Sequence, residues 1–296
     1  MNVNASRVSR LVLVMLLWAA CFPLITLGQK FAPHLAFAAM RGALAGSCLL
    51  VLGYVLRRPV PRGRKTWAHI CLAGFGVTTL GFLGMFHAAE YIAPGLATVI
   101  FNIQPLLAAV LAHVALGEKL DGKAKAGLVA GFLGIVTVAS PSLGGASSNN
   151  FMLGLVFVVL AAVGVSVGNI AIKALASRTD AIMATGFQLL IGATFLAGMS
   201  LGTEDASAIV WTPGFMAVLG ILSILGTALV LWLWFSVLEE MDVSHANAFT
   251  FLVPVFGLFI GTFYFGESFG WVEGIGVTLV LVGIALAQIS TSTAGT

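Results

Sequence analysis

The chain carries one sequence pattern twice, separated by half of its length. Residues 117–135 read GEKLDGKAKAGLVAGFLGI, and residues 266–284 read GESFGWVEGIGVTLVLVGI. Glycine, glutamate and isoleucine residues of the first stretch recur 149 residues later in the second. Pro105 and Pro254 are also 149 residues apart. A repeat of this length indicates two copies of one structural unit, so the fold must consist of two similar halves.

The composition indicates the medium in which these halves fold. Of the 296 residues, 59% are apolar and only 8% are charged, and the mean hydropathy is +1.07. A soluble domain has about 25% charged residues, and so few charges cannot cover a surface that faces water. The sequence therefore predicts an integral membrane protein whose partner is the lipid bilayer.

The apolar runs predict ten transmembrane helices, because a helix needs roughly 20 apolar residues to cross a bilayer. They lie at about 10–29, 35–56, 67–89, 93–116, 123–140, 151–173, 181–201, 212–238, 244–265 and 271–290. The first run follows Arg7 and Arg10 as a signal peptide would, but no small-residue cleavage site comes after it, and we interpret it as a retained helix. The joins between runs are short, so we expect no soluble domain and no attached ATPase.

Basic residues orient the helices, because cytoplasmic loops are rich in Lys and Arg. If the N-terminus is cytoplasmic, twelve of the fourteen Lys and Arg residues face the cytoplasm, and only Lys30 and Arg41 do not. Both termini are then cytoplasmic, although the predicted cytoplasmic join at 239–245 has no basic residue. A polar linker at 141–149 divides the chain into a first half, 1–140, and a second half, 151–290.

Five helices in each half is an odd number, so the second half enters the membrane in the opposite orientation to the first. Many secondary transporters use such an inverted-topology repeat, in which the halves enclose a site near the middle of the membrane and rock to open it to each side in turn. The sequence thus predicts an all-α integral membrane protein with ten transmembrane helices, arranged as two five-helix inverted repeats around a central cavity.

Both halves resemble the EamA-type drug/metabolite transporter family. The matching stretches are NIQPLLAAVLAHVALGEKLDGKAKAGLVAGFLGIVTVA at 102–139 and VPVFGLFIGTFYFGESFGWVEGIGVTLVLVGIALA at 253–287. Each contains a proline, a Gly-Glu pair and a glycine-rich helix. LLWAACFPL (16–24) and FAAMRGALA (37–45) resemble the first two helices of the family, so the resemblance covers essentially the whole chain.

The resemblance implies a protein of the bacterial inner membrane that exports small metabolites, often amino acids, from the cytoplasm. It also implies that helices three, four, eight and nine line the cavity and that helices five and ten pack outside it. Within the family the chain is similar to amino-acid exporters, including the YddG-type exporters of aromatic amino acids. Export of other metabolites or drugs is the alternative.

Polar side chains inside a membrane are costly and usually face a cavity. Helices four and nine have matching faces that contain such residues. These residues are Thr98, Asn102 and Pro105 on helix four, and Asn247, Phe251 and Pro254 on helix nine. The two asparagines can bond the amino or carboxylate group of a substrate, or they can tie helices together.

Three further residues are candidate substrate contacts: His87 near the outer end of helix three, and Trp232 and Phe235 in the inner half of helix eight. An aromatic wall suits apolar or aromatic substrates, since binding pockets are mostly apolar with few polar groups. Packing between helices is the alternative. Arg41, about two turns into helix two, is expected to snorkel to the outer surface or to bond a carbonyl group, with a substrate carboxylate as the alternative partner.

Other repeated residues are assigned to structure. Pro105 and Pro254 are expected to bend helices four and nine and so shape the cavity. Glu118 and Glu267 are expected to cap the helix that follows each of them. Small residues let helices five and ten pack closely. These are Gly127, Gly131 and Gly134 on helix five, and Gly274, Gly276 and Gly283 on helix ten.

The sequence lacks the motifs that other functions require. It has no phosphate-binding loop for ATP, its three cysteines have no spacing typical of a disulfide or metal site, and the residue sets of intramembrane enzymes are missing. We therefore expect no enzymatic activity, cofactor, metal or nucleic-acid partner. No carboxylate lies in mid-helix, so facilitated diffusion or exchange fits the sequence as well as proton antiport through His87 and His113. The oligomeric state is left open.

Overall fold

The computed structural model describes residues 5–104, 106–107, 110–111, 122–140, 148–173, 179–238, 249–268 and 270–293. In these residues all regular secondary structure is helical. The α-helices are α1 (Ala5–Ala19), α2 (Cys21–Gly28), α3 (His34–Val55), α4 (Arg64–Ala73), α5 (Gly81–Ala88), α6 (Pro94–Phe101), α7 (Gly122–Ala139), α8 (Ser148–Lys173), α9 (Ala181–Thr203), α10 (Pro213–Gly220), α11 (Val230–Leu238), α12 (Leu252–Phe265) and α13 (Trp271–Thr293). Two π-helices, π1 (Gly74–Leu80) and π2 (Ile221–Leu229), join α4 to α5 and α10 to α11.

Six stretches of the described chain are long and apolar enough to cross a membrane. They are Val8–Gly28, His34–Val55, Arg64–Ala88, Asn150–Ile172, Ala181–Thr203 and Pro213–Trp234. Shorter apolar helices lie at Lys125–Thr137, Leu252–Phe265 and Trp271–Gly283. Each of these stretches overlaps one of the predicted membrane helices. The predicted fourth helix is described only in part, and the count of ten stays a prediction.

The fourth helix of the first half is interrupted at the place in the repeat where the described helix α12 of the second half begins. In the first half α6 ends at Phe101, and Asn102 and Ile103 form a turn. In the second half a short 3₁₀ turn at Phe249–Phe251 precedes α12. Pro254 thus lies in the first turn of α12, where a backbone N–H has no helical acceptor and its absence costs little. The expected bend at Pro254 stays a prediction, because residues 239–248 lie outside the described part of the chain.

The two π-helices occupy matching places in the predicted helices three and eight. In each, a threonine hydroxyl donates a hydrogen bond to the carbonyl oxygen five residues earlier. Thr79 bonds Gly74 at 3.4 Å and Thr227 bonds Leu222 at 2.9 Å. π-Helical turns are rare and often occur at functional sites. Their presence in both halves singles out these two segments as shared features of the repeat.

The predicted helices five and ten, α7 and α13, pack against each other through glycines. A Cβ atom on Gly134 would lie 2.7 Å from the carbonyl oxygen of Gly276, and one on Gly283 would lie 2.6 Å from that of Gly127. Gly134 and Gly283 are equivalent positions of the repeat, and so are Gly127 and Gly276. The two contacts therefore exchange equivalent residues, and their order along the chain shows that α7 and α13 run antiparallel.

The other two glycines assigned to this packing behave differently from each other. Gly131 faces Leu106, whose side chain occupies the space that a Cβ atom would take. Gly274 is exposed, and a Cβ atom there would meet no described atom within 4 Å. Gly274 precedes Gly276 by two residues and so lies on another face of α13. Gly274 therefore has no packing partner among the described residues, and its assignment to helix packing stays a prediction.

The predicted helices two and seven, α3 and α9, form a second close pair that joins the halves. A Cβ atom on Gly46 would lie 2.9 Å from the carbonyl oxygen of Gly186. Gly53, near the end of α3, packs against Met183, near the start of α9, so this pair is also antiparallel. Buried rings stabilise the start of α3: the ring of Phe37 lies edge-on to Phe86 at 5.0 Å and to Phe215 at 5.4 Å.

Candidate functional site

Several of the predicted site residues lie outside the described part of the chain. Pro105, Glu118 and Asn247 are among them, and so are the side chains of Phe235 and Phe251. Their roles stay predictions.

Thr98 and Asn102 lie together where α6 ends. The hydroxyl of Thr98 donates to the carbonyl oxygen of Pro94 at 2.8 Å, and its side chain is buried against Gly257 of α12. The side-chain amide of Asn102 donates to the carbonyl oxygen of Thr98 at 2.8 Å, which satisfies an acceptor that the end of a helix leaves free. The geometry therefore places Thr98 in a helix contact and the half-buried Asn102 at a break in the helix.

The tryptophans of the predicted eighth helix point in different directions. Trp234 is half-buried, and its ring lies 5.3 Å from that of Trp18 in α1. Both pack on a small buried cluster that includes Val230 and Val253. Trp232 is 38% exposed. Two residues of a helix that are two positions apart cannot share a face, so Trp234, which was not among the predicted substrate contacts, lies in the interior in place of Trp232.

His87 belongs to a polar and aromatic cluster at the end of α5. Its Nδ1 lies 2.8 Å from the carbonyl oxygen of Leu83, and its ring stacks on Phe157 at 4.8 Å. The ring of His34 is 5.2 Å away, and Nε2 of His34 is 2.6 Å from Oε1 of Glu90. This cluster joins an imidazole ring to a carboxylate, which the sequence could not indicate because His34 begins α3 whereas Glu90 lies in the turn after α5.

Arg41 does not snorkel to the surface, and that expectation is corrected. Its side chain is 4% exposed. Nε donates to the hydroxyl oxygen of Thr227 at 3.1 Å, and Nη2 lies 3.5 Å from the sulfur of Cys21. The guanidinium group covers the ring of Phe82, 4.3 Å from its centroid. Because Thr227 belongs to π2 and Arg41 to α3, the bond crosses between the two halves.

The same bridge recurs with the halves exchanged. Nε2 of Gln188, in α9, lies 3.4 Å from the hydroxyl oxygen of Thr78 in π1, and both residues are buried. The second helix of each half therefore donates to a threonine in the π-helix of the other half. Thr78 and Thr227 are separated by the repeat offset of 149 residues that also separates Pro105 from Pro254. The threonine acceptors are thus equivalent positions of the repeat, whereas the donors Arg41 and Gln188 are 147 residues apart and are not, so the offset of the repeat does not by itself indicate these polar pairs.

Glu267 caps a different helix from the expected one. Its Oε1 accepts a hydrogen bond from the backbone N–H of Gly95 at 2.8 Å, at the start of α6, whereas the expected partner was α13. Burial raises the pKa of this carboxyl group, and the N–H groups of Gly95 and Leu96 lower it by less. The glutamate of the second half thus stabilises a helix of the first half.

The described residues contain no group of three or more His, Cys, Asp or Glu side chains arranged to hold a metal ion. Two surface depressions lie beside α9 at Ile191–Met199 and at the end of α3 around Tyr54–Arg58. Neither depression is lined by a predicted site residue.

The apolar helices define a multi-pass, all-helical membrane protein. The chain belongs to the EamA-like transporter family, whose sequence model matches residues 8–140 and again residues 152–288. The two matches together cover most of the chain.

Similar proteins come from bacteria, archaea and plants. Uncharacterized transporter YvbV of Bacillus subtilis (strain 168) is 28% identical over 278 residues, which cover 94% of this chain and 90% of the relative. A probable amino-acid metabolite efflux pump of Escherichia coli (strain K12) is 25% identical over 283 residues, which cover 92% and 91%. A crystal structure resembles 99% of this chain and 100% of its own with a TM-score of 0.67 at 20% identity, which shows the fold alone.

Proposed function

We propose that this protein is a secondary transporter that exports amino acids, aromatic and other, or similar small metabolites across the bacterial inner membrane by alternating access. The observation that carries this function is the family match, which covers the chain twice. The Escherichia coli relative, a probable amino-acid metabolite efflux pump, supports the substrate class.

The transport unit that we propose has ten transmembrane helices around a central cavity. Residues 1–140 and 151–290 form its two inverted five-helix repeats, and 141–149 is the linker. The antiparallel packing of α7 and α13 supports this arrangement, because equivalent helices of inverted repeats must run in opposite directions. The distribution of basic residues supports cytoplasmic termini.

The substrate site that we propose lies where the fourth helix of each half is broken. Transporters tolerate irregular backbone at membrane depth where it is buried in protein or lines a cavity. Asn102 forms this break in the first half, and Phe251 occupies the equivalent position in the second. Asn102 is therefore the best supported substrate contact. His87, Thr98, Trp232, Phe235, Asn247 and Phe251 complete the proposed set.

The test is uptake and counterflow in proteoliposomes with a panel of labelled amino acids, with and without an imposed pH gradient. Protein-free liposomes are the control. We expect saturable movement of amino acids, and accumulation driven by the gradient would point to proton coupling through the His34, His87 and Glu90 cluster. Movement without regard to the gradient would identify a facilitator or exchanger. If no amino acid moves, the substrate class is wrong, and other metabolites and drugs become the panel.

We propose no enzymatic activity for this protein. The relatives above are named as transporters or as an efflux pump. A transporter needs no bond-making residues, and none of the contacts described above joins a nucleophile to a general base.

A further inference from the structure

A positive charge lies buried between the two halves, and no carboxylate of the described residues contacts it. Arg41 is the residue, and its Nη1 has no hydrogen-bond partner in the described structure. Arg41 is the eighth residue of α3, so its Cα lies about 10 Å along the helix, well inside the hydrocarbon region. A buried guanidinium group without an anion is costly, and charged groups at such depth are usually functional.

Four carboxylates of the described residues have partners other than Arg41. Glu90 pairs with His34, and Asp180 lies 3.6 Å from Arg58. Glu204 accepts hydrogen bonds from the backbone at the start of α3, and Glu267 from the start of α6. The neighbours that Arg41 does have are a hydroxyl, a thiol and an aromatic ring, which are all uncharged.

A second polar atom without a partner lies on the same π-helix that Arg41 contacts. The hydroxyl of Ser223 is buried, and no described group accepts or donates to it. Ser223 precedes Thr227 by four residues, which places the two side chains on the same side of π2. The side of π2 that holds Arg41 therefore offers two unused donors, one from a guanidinium group and one from a hydroxyl.

The corresponding bridge in the other half is made without a charge. There the donor to the threonine is the neutral amide of Gln188, and that residue is as deeply buried as Arg41. If both donors only joined the halves, an amide would serve in each place. The charge of Arg41 then only adds the free-energy cost of its burial, and an anionic ligand would offset that cost.

We infer that Arg41, with Ser223, forms a subsite for the carboxylate group of the transported molecule, an inference that rests on the transport function proposed above. A guanidinium group binds a carboxylate through parallel N–H donors, and such charge-assisted hydrogen bonds are strong in a dry site. Thr227 comes from the second half and Cys21 from the first, so Arg41 lies at the boundary between the halves. Transporters of this plan bind substrate at that boundary.

The experiment compares Arg41→Gln with the matched variant Gln188→Ala in proteoliposome counterflow. The probes are phenylalanine and leucine, and the amides of both, which lack the carboxylate. Arg41→Gln replaces the guanidinium group by the side chain that bonds Thr78 in the other half, so a donor for Thr227 remains while the charge is lost. We expect wild-type protein to prefer each acid to its amide by at least about tenfold in Vmax/KM, and Arg41→Gln to lose that preference. Gln188→Ala should keep it.

Two results would overturn the carboxylate subsite. One is equal transport of acid and amide by the wild type, which requires no variant and stands even if Arg41→Gln fails to fold. The other is an unchanged preference in a folded Arg41→Gln protein. Arg41→Lys, which keeps the charge, should recover part of the preference.

A separate arm distinguishes failure of this subsite from failure of the proposed function. Thermal unfolding of the wild type and Arg41→Gln is measured with sodium acetate, sodium chloride and sodium gluconate. If no amino acid is transported but acetate stabilises only the wild type, the amino-acid assignment fails and the carboxylate subsite stands. If chloride stabilises as strongly as acetate, the subsite holds an inorganic ion, and the carboxylate assignment is wrong. No stabilisation and no transport would remove both.

Discussion

Oε1 of Glu267 accepts a hydrogen bond from the backbone N–H of Gly95 at 2.8 Å, although 172 residues separate them in the chain. Gly95 is the second residue of α6, so a loop of the second half caps a helix of the first. A Cβ atom on Gly95 would lie 2.8 Å from Oε2 of Glu267, and one on Gly261 would lie 2.7 Å from its carboxylate carbon. Because Gly95 and Gly261 have no side chains, there is space for the carboxylate of Glu267.

Replacement of Glu267 by alanine should destabilise the protein by about 1 kcal/mol, because the N–H of Gly95 loses its acceptor at the start of a helix. Glu267→Gln keeps an oxygen acceptor and should unfold close to the wild type. Thermal unfolding in detergent, followed by tryptophan fluorescence, measures both. Equal destabilisation by the two variants would show that the carboxylate charge, and not the acceptor oxygen, stabilises α6.

The pKa of Glu267 predicts the direction of a pH effect. Its folded-state pKa lies above the ordinary glutamate value of about 4.3 because burial disfavours the charged form. The folded protein therefore binds a proton more tightly than the unfolded chain does. The stability that this contributes is fully present below the unfolded pKa and is lost as the pH rises through the folded pKa. Unfolding temperatures from about pH 4 to about pH 8 should fall more for the wild type than for Glu267→Gln. Parallel curves would contradict the shift.

The repeat in the sequence predicts much of the framework and little of the polar geometry. The apolar runs locate the helices because membrane spanning needs a fixed length. The offset of the glycines predicts that α7 and α13 pack closely. It does not show which glycines, Gly274 among them, meet the neighbouring helix, since that depends on how each helix is rotated about its axis. Arg41 and Glu267 were misjudged for a related reason. Their partners, Thr227 and Gly95, lie in the other half, and no local pattern specifies contacts at such separation.

The glycine contact between α7 and α13 should tolerate no side chain. Gly134→Leu forces a side chain against the backbone of Gly276, which cannot move aside as a flexible side chain can, and overpacking of this kind costs about 1–3 kcal/mol or more. Gly274→Leu is the matched control on α13, because a Cβ atom there meets no described atom within 4 Å. The fraction of monodisperse protein in detergent, measured after heating, should fall for the first variant only.

Equivalence across the repeat gives this prediction a second arm. Gly283 faces the backbone of Gly127 in the same way that Gly134 faces the backbone of Gly276. Gly283→Leu should therefore reduce stability about as much as Gly134→Leu. A large difference between these two variants would show that the exchanged contacts are not equivalent in solution.

Variants of the two tryptophans of α11 should distinguish an effect on helix packing from an effect on transport. Trp234→Ala removes a half-buried ring that contacts Trp18, and we expect a loss of roughly 2 kcal/mol, below the 3–5 kcal/mol typical of a fully buried tryptophan. Trp232→Ala removes a more exposed ring and should change stability little. If Trp232 belongs to the substrate set, its variant will fold normally and transport slowly. Normal folding with unchanged kinetics would assign Trp232 to the lipid-facing surface.

Asn102 tests whether the break after α6 takes part in transport. Its amide satisfies the carbonyl oxygen of Thr98 at the end of a helix, and such a bond contributes only about 0.5–1.5 kcal/mol to stability. Asn102→Ala should therefore fold, while amino-acid counterflow slows by about tenfold or more, because a substrate contact and the geometry of the break are both lost. Asn150→Ala, at an exposed position near the start of α8, controls for the loss of an asparagine. Wild-type kinetics in Asn102→Ala would move the substrate site away from the helix break and leave the buried surface around Arg41 as the place to look for it.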